Sequence, residues 1–291
     1  MRIQSLSVCV PGGCPNNCRF CVSKIHPNRG YGDVWVDYKA YKRFEREFYD
    51  RMSYCQQHGC TDVILTGDGE PALNVDFLKM FDKINRQLSS AYKKVELQTS
   101  GVAVDEDKLE FLGEIGVKTI ALSISSLDDV DNAEINRTSK KVKPVEIDAF
   151  VEQALARHFN LRLCLNLSSY FEPFFTDLDA LFGRFDALGV HQATFRKLYT
   201  SDLDTEQDRW IREHPFDEAI LARLGDYIRE RGRRLERLPF GAVKYSVDGI
   251  SVVVDDDCMS SAEDKQELKY AILRTNCKLY SKWDDRGSLI F

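Results

Sequence analysis

The hydrophobic pattern of this chain alternates between two periods. Short apolar runs rich in β-branched residues are followed by longer segments in which apolar residues recur every three or four positions. This alternation is typical of repeated βα units around a parallel sheet, and several of the short runs are apolar throughout, as in strands covered on both faces. Six strands are predicted, at residues 5–10, 62–65, 94–99, 119–124, 161–167 and 192–196.

The segments of helical period predict amphipathic helices between these strands. Gly59 follows the first apolar stripe as a stop signal, Asn74 precedes the second as an N-cap, and Pro144 suits the first turn of a later helix. The stripes, which we expect to be core, are Tyr41, Phe44, Phe48, Met52 and Cys55; Phe77, Phe81, Ile84 and Leu88; Ile147, Val151 and Ala154; Leu178, Leu181, Phe182, Phe185 and Leu188; and Ile220, Leu221, Leu224, Tyr227 and Ile228.

Six βα units are too few for a complete eight-fold barrel. The pattern therefore predicts an α/β fold with an open, partial (β/α)6 TIM-like barrel over residues 1–232, and reactive groups at the carboxyl ends of its strands. After residue 232, two apolar runs at 242–245 and 250–254 flank Asp248-Gly249, a strong signal for a two-residue hairpin. We assign residues 233–291 to a small α+β C-terminal extension that packs on the barrel and closes the substrate pocket.

Composition narrows the class of protein. The chain has 291 residues, of which 43% are hydrophobic and 30% charged, as in a globular protein with one large core. No apolar run reaches membrane-spanning length and no signal peptide is evident, so we expect a cytoplasmic protein without a membrane partner. The net charge of −6 makes a nucleic-acid partner unexpected. Nine cysteines in such a chain are expected to be thiols, available for metal binding.

Three of these cysteines follow the first predicted strand in a turn-rich loop. Cys14, Cys18 and Cys21 form a C-x3-C-x2-C pattern. Three thiolates can hold three irons of a four-iron cluster and leave the fourth iron open, whereas ordinary electron-transfer clusters use four cysteines. A tetrahedral zinc site completed by His26 is the chief alternative.

A second motif, Thr66-Gly67-Asp68-Gly69-Glu70-Pro71, follows the second predicted strand. Glycines let backbone carbonyls approach a ligand closely, and an ammonium group needs such acceptors. In this order, the two motifs resemble those of the radical S-adenosylmethionine (SAM) superfamily, over roughly residues 1–200. Asp68 departs from the family pattern by interrupting the glycine pair.

The resemblance implies an enzyme with one [4Fe–4S] cluster on the three cysteines and SAM on the open iron. In that family the reduced cluster cleaves SAM to methionine and a 5′-deoxyadenosyl radical, which abstracts hydrogen from a substrate. The residues Gly67, Asp68, Gly69 and Glu70 would then bind the SAM amino group, partly through the Glu70 carboxylate. A low-potential electron donor, flavodoxin or ferredoxin, is implied as partner.

The resemblance also implies further SAM contacts at strand ends. Phe20 occupies the position of an aromatic residue whose backbone meets adenine. Polar groups for the carboxylate, ribose and adenine are Thr99, Ser100, Ser123, Ser125, Asn166 and Arg137. For the substrate, a small molecule or a protein, we expect contacts from Arg196 and Lys197, which suit an anionic group, and from the tail at 283–291.

The C-terminal extension offers weaker signals. Residues 273–280 distantly resemble the Thr-x-x-Gly-Lys-Leu segment of molybdenum-cofactor GTP cyclases and peptide-modifying relatives, with Cys277 in place of the glycine. Those relatives carry extra clusters here. Only Cys258 and Cys277 follow residue 232 in this chain, too few for a second cluster, so one cluster is expected.

Three alternative functions remain open at this point. The chain could be an activase that places a glycyl radical on a partner protein, an enzyme that modifies a nucleotide or RNA, or a zinc-stabilised binding module without catalysis. Cys55, Cys60 and Cys164 lie in helical or strand patterns and are expected to be buried fillers. The sequence does not identify the substrate or the net reaction, because the same fold serves unrelated chemistries.

Overall fold

The computed structural model describes residues 2–25, 43–238, 241–255, 267–283 and 285–291. Its centre is a single sheet of eleven strands, in the order β11-β10-β1-β2-β3-β4-β5-β6-β9-β8-β7. The strands are β1 (Arg2–Cys9), β2 (Asp62–Thr66), β3 (Lys94–Thr99), β4 (Val117–Ile124), β5 (Asn160–Leu167), β6 (Gln192–Lys197), β7 (Arg233–Arg237), β8 (Val243–Val247), β9 (Ile250–Asp255), β10 (Glu267–Leu273) and β11 (Leu279–Tyr280).

Nine α-helices occur in the described ranges. They are α1 (Val22–Ile25), α2 (Glu45–Gln57), α3 (Val75–Gln87), α4 (Glu106–Glu114), α5 (Asp129–Ile135), α6 (Ile147–Ala156), α7 (Leu178–Ala187), α8 (Glu206–Glu213) and α9 (Glu218–Arg231). Short 3-10 helices cover Pro71–Leu73, Ser169–Phe175 and Arg286–Ser288. In the part of the chain the structure describes, no helix is both long and apolar enough to cross a bilayer.

The predicted α/β fold with an open barrel is confirmed. All six predicted strands are present as β1 to β6, and each pairs in parallel with the next. Five of them match their predicted ends within two residues, while β1 begins three residues earlier than expected. The sheet does not close, because β11 and β7 form its two edges. Asn74 caps α3 as predicted, since its Oδ1 accepts from Phe77 N at 3.1 Å.

The segment after residue 232 does more than pack on the barrel. Strand β10 pairs in parallel with β1, and β9 pairs in parallel with β6, so the C-terminal segment lengthens the parallel sheet at both sides. The predicted hairpin joins β8 to β9, and Asp248 and Gly249 both have the left-handed φ that such a turn requires. The domain boundary near residue 232 stays a prediction, because no separate layer of structure begins there.

The two faces of the sheet differ in polarity. One face packs against the helices and carries the main core, for example Leu6, Leu65 and Leu163. On the other face, side chains of neighbouring strands bond to one another: Thr66 donates to Gln98, and Arg162 forms an ion pair of 2.7 Å with Glu96. At the carboxyl ends of the strands, this polar face continues into the region where most of the predicted site residues lie.

Candidate active site

A cavity of 290 Å³ lies at the carboxyl ends of β2 to β6, beneath the cysteine loop. Most residues singled out from the sequence line it together. These are Cys14, Cys18, Phe20, Cys21, Gly67, Asp68, Gly69, Glu70, Thr99, Ser100, Ser123, Asn166, Arg196 and Lys197. The structure thus brings the two motifs, the strand-end polar groups and the two predicted substrate cations to one place.

The cysteine loop is clamped by the last residue of α5 and the segment that follows it. Asn17 N donates to Asn136 O at 2.9 Å, Arg19 N donates to Ile135 O, and Ser139 N donates to Pro15 O at 2.9 Å. These bonds run from backbone to backbone, so they fix the loop path regardless of its side chains. The path of the loop is therefore tied to the end of α5 and the residues that follow it.

The three cysteines lie close enough for their charges to interact. Burial raises the pKa of the Cys18 thiol, and the neighbouring Cys21 and Cys14 thiolates raise it further. Burial also raises the pKa of Cys14, although the backbone N–H of Asn16 donates to its sulfur and opposes the rise. Three thiolates side by side thus require a cationic partner, which an iron cluster provides.

The zinc site predicted as the chief alternative needs a fourth ligand besides the three cysteines. His26, the fourth ligand of the predicted zinc site, lies outside the described residues, as does Cys258. Among residues whose positions are described, no three His, Cys, Asp or Glu side chains are arranged to hold a single metal ion. A four-iron cluster binds each thiolate on a different iron, so its cysteines need not converge on one point.

The turn of the second motif is locked against the cysteine loop. Val10 N donates to Thr66 O at 2.6 Å, and Glu70 N donates to Gly13 O at 3.0 Å. The glycines make this approach possible: a Cβ on Gly67 would lie 2.5 Å from Val10 O, and one on Gly69 would lie 2.7 Å from Gly13 O. Both glycines are therefore steric requirements of the contact between the two loops, besides any contact with a ligand.

Glu70 is buried, and its carboxylate is engaged by the end of β3. Its Oε1 accepts from Thr99 Oγ1 at 2.6 Å, and its Oε2 accepts from Ser100 N at 2.9 Å and Ser100 Oγ at 2.7 Å. Burial raises the pKa of Glu70, and these hydrogen bonds oppose the rise. The side chain thus joins the turn to β3 and fixes both. A direct bond to the SAM amino group stays a prediction.

Asp68 has a partner that the sequence pattern did not indicate. Its Oδ2 lies 3.9 Å from Nη1 of Arg274, which directly follows β10 and is 4% exposed. Arg274 also donates to Trp283 O and places its guanidinium 5.1 Å from the Trp283 ring centroid. The C-terminal segment therefore supports the second motif at the residue that departs from the family pattern.

The remaining predicted SAM contacts divide into two groups. Asn166 and Ser123 line the cavity, where Asn166 Nδ2 donates to Ser123 Oγ at 2.9 Å. Ser125 is not among the lining residues, because its hydroxyl donates to Asn136 Oδ1 at 2.8 Å and so supports the clamp on the cysteine loop. Arg137 is likewise outside the lining and pairs with Glu206 at 3.1 Å.

Phe20 contributes its ring to a small apolar cluster beside the cavity. Its ring centroid lies 6.1 Å from that of Trp210 on α8, and the same cluster includes Ile25 and Ile135. The ring is therefore a packing element, and the adenine contact of its backbone stays a prediction. Helix α8 thereby buttresses the cysteine loop from the outside.

The predicted substrate cations have acidic neighbours. Arg196 Nε lies 3.8 Å from Asp255 Oδ2 at the end of β9, and Lys197 forms an ion pair with Glu218. Both cations line the cavity. In the tail, Phe291 instead stacks on Tyr54, with ring centroids 5.2 Å apart, and no tail residue with a described position is part of the lining.

Several lining residues were not selected from the sequence. Cys164, expected to be a filler, is buried but forms part of the cavity wall, whereas Cys9, Cys55, Cys60 and Cys277 are buried away from it. Asn16, Lys24, Gln98 and Tyr199 also line the cavity. Gln98 on β3 and Cys164 on β5 could have been predicted as lining residues, because every second side chain of a strand points to the same face of the sheet.

Comparison with known proteins adds a family match. The sequence model of the Radical SAM superfamily matches residues 8–165, more than half of the chain. No curated protein sequence matches the chain significantly. The match spans both motifs and strands β2 to β4, together with parts of β1 and β5.

Solved structures share the fold at low sequence identity. SuiB of Streptococcus suis bound to the precursor peptide SuiA has a TM-score of 0.55 at 14% identity, covering 79% of this chain and 47% of SuiB. Coproporphyrinogen III oxidase (HemN) of Escherichia coli, described as a radical SAM enzyme, has a TM-score of 0.55 at 15% identity over 80% of this chain and 54% of HemN. Native anSMEcpe with bound AdoMet reaches 0.56 at 15% identity over 96% of this chain and 74% of its own. The chain thus spans about half the length of SuiB and HemN.

Proposed function

This chain belongs to the radical SAM superfamily, whose members are enzymes that use an iron–sulfur cluster and SAM, and we propose that it generates a substrate radical in the cavity beneath its cysteine loop. The observation that carries the proposal is the junction of the two motifs. The loop of Cys14, Cys18 and Cys21 and the turn at 67–70 line one cavity and are joined by the bond from Glu70 N to Gly13 O.

The three cysteines would hold one [4Fe–4S] cluster. Burial raises the pKa of the Cys14 and Cys18 thiols, so their sulfurs are favoured as thiolates only beside cationic groups such as the irons of a cluster. When bound, the cluster and SAM would supply an electron and a 5′-deoxyadenosyl radical for hydrogen abstraction from the substrate. The backbone clamp from Asn136 and Ser139 holds the loop that carries the three cysteines at Asn17 and Pro15.

The turn at 67–70 would present acceptors to the SAM amino group. Glu70 orients the turn by its bonds to Thr99 and Ser100, and Asp68 is held from the other side by Arg274. The turn is thus held by contacts of the protein itself, to β3 on one side and to the C-terminal segment on the other. Preorganisation of this kind lowers the entropic cost of binding.

The substrate would enter from the side of β6. Arg196 and Lys197 line the cavity and could neutralise an anionic group, and Asn166 on the neighbouring strand β5 adds an amide. A substrate with an acidic group suits this side of the cavity. A low-potential donor, flavodoxin or ferredoxin, would reduce the cluster, and we place the reaction in the cytoplasm.

Formation of 5′-deoxyadenosine tests this function. Protein reconstituted anaerobically with iron and sulfide, reduced with dithionite and incubated with SAM should release 5′-deoxyadenosine, measured by mass spectrometry. Cys18→Ala should abolish the product, whereas Cys60→Ala should retain it because Cys60 is buried away from the cavity. Release by Cys18→Ala at the wild-type rate would refute the assignment of the three cysteines.

A further inference from the structure

Asn16 lies between the first two cysteines of the loop, and only the oxygen of its side-chain amide has a hydrogen-bond partner among the described residues. The residue is 7% exposed, and its Oδ1 accepts from Thr138 Oγ1 at 2.9 Å. Its Nδ2 is buried and has no hydrogen-bond partner within the described structure. Leaving a buried donor without an acceptor is costly, so such a group indicates a partner that binds later.

The residue that carries this donor lines the same cavity as the cysteines. Asn16 lines that cavity together with Cys14, Cys18 and Cys21. The backbone N–H of Asn16 already donates to the Cys14 sulfur. Asn16 therefore places a second donor close to the cysteine sulfurs, where the sulfurs of a bound cluster would carry negative charge.

The position of the Asn16 amide is fixed by its surroundings. Thr138 holds Oδ1, Ser139 N donates to the preceding carbonyl of Pro15, and Asn136 O accepts from the following amide of Asn17. Because Thr138 holds the amide oxygen, the amide nitrogen keeps a fixed direction. A donor held in this way needs no rearrangement when the electron arrives.

On the premise of the proposed function, we infer that Asn16 Nδ2 donates a hydrogen bond to a sulfur of the bound cluster. This bond raises the reduction potential of the cluster. Hydrogen bonds to cluster sulfurs are one of the means by which proteins set that potential. The reduced cluster carries one more negative charge than the oxidised one, so a donor stabilises the reduced form more. Asn16 would thereby make reduction of the cluster by its low-potential donor easier.

Potentiometry monitored by EPR tests the inference on the anaerobically reconstituted full chain without SAM. Asn16→Ala should shift the oxidised-to-reduced equilibrium roughly tenfold toward the oxidised form, about 59 mV for a one-electron couple. Asn160→Ala is the matched control, because Asn160 is an exposed asparagine at the start of β5, at the opposite end of that strand from the cavity. Its potential should equal that of the wild type.

A second variant keeps the test decisive if Asn16→Ala binds too little iron. Thr138→Val leaves the Asn16 donor in place but frees the amide from Thr138, so it should shift the potential in the same direction by less. Electron–nuclear double resonance in D2O should also show one fewer coupled exchangeable deuteron in Asn16→Ala than in the wild type.

The outcomes separate this inference from the proposed function. Wild-type protein that binds no iron would overturn both. Fully loaded Asn16→Ala with the wild-type potential and the wild-type set of coupled deuterons would overturn the role of Asn16 alone, because the cluster would still be present on the three cysteines.

Discussion

Asp68 Oδ2 lies 3.9 Å from Arg274 Nη1, so the residue that interrupts the glycine pair of the second motif is paired with the C-terminal segment. The pairing is possible because β10 lies beside β1 in parallel, with Leu273 opposite Val8. This brings Arg274 to the carboxyl end of the strands, where the cysteine loop begins. The departure from the family pattern and the attachment of the C-terminal segment thus form one structural feature.

This ion pair should contribute to SAM binding. Asp68→Asn or Arg274→Met should each weaken SAM binding to the cluster-loaded protein by roughly fivefold, about 1 kcal/mol for a partly buried pair. The double variant should bind no more weakly than the poorer single variant, since both remove the same interaction. Isothermal titration calorimetry under argon measures the effect, with exposed Arg233→Met as the control. Fully additive losses would contradict the coupling.

The close contact between the two motif loops should make Gly69 intolerant of any side chain. Gly69→Ala would place a Cβ 2.7 Å from Gly13 O, so the cysteine loop must move away. We expect the iron bound per chain after reconstitution to fall by more than half, while the far-ultraviolet circular dichroism stays unchanged. Gly183→Ala is the control, because no atom lies within 4 Å of its added Cβ. Full iron loading of Gly69→Ala would show that the two loops need not touch.

Asp208 should make the support of the cysteine loop sensitive to acid. Burial acts to raise the pKa of Asp208, but hydrogen bonds from Thr205 and Ser201 outweigh it and hold the pKa at about 2, below the ordinary 3.8. Because the folded pKa is the lower one, the stabilisation of about 2 kcal/mol is present above pH 3.8 and lost as the pH falls toward 2. Asp208 lies on α8, the helix whose Trp210 packs on Phe20.

Urea unfolding of the wild type and Asp208→Asn checks this prediction. Their difference in unfolding free energy should be near its full value at pH 5 and should shrink as the pH falls below 3.8. An unchanged difference across that range would mean that the Asp208 charge does not contribute to folding.

The sequence was sufficient for features that depend on local pattern. The strands β1 to β6 follow from their apolar runs, the hairpin follows from Asp248-Gly249, and the grouping of the two motifs follows from their shared position at strand ends. Pairing of β1 with β10 could not be predicted, since side chains such as Gln4 and Glu267 that bond across it are 263 positions apart in the chain. No periodicity encodes such a contact.

The sequence also could not show which polar side chains near the strand ends already have hydrogen-bond partners within the protein. Ser125 and Asn166 both stand near strand ends, yet Ser125 bonds to Asn136 outside the cavity and Asn166 faces into it. The Glu70 carboxylate was expected to face the ligand. In the structure it accepts hydrogen bonds from donors at and directly after the end of β3. Only the geometry of the folded chain shows which polar groups already have partners.

The most direct measurement of the central claim is the Mössbauer spectrum of protein reconstituted with 57Fe, recorded before and after addition of SAM. Three cysteines on a four-iron cluster leave one iron without a protein ligand. The account predicts that a quarter of the iron signal changes its isomer shift and quadrupole splitting when SAM binds, and that Glu70→Ala weakens this response. A protein whose irons all keep their parameters in the presence of saturating SAM, or one that binds zinc in their place, would contradict it.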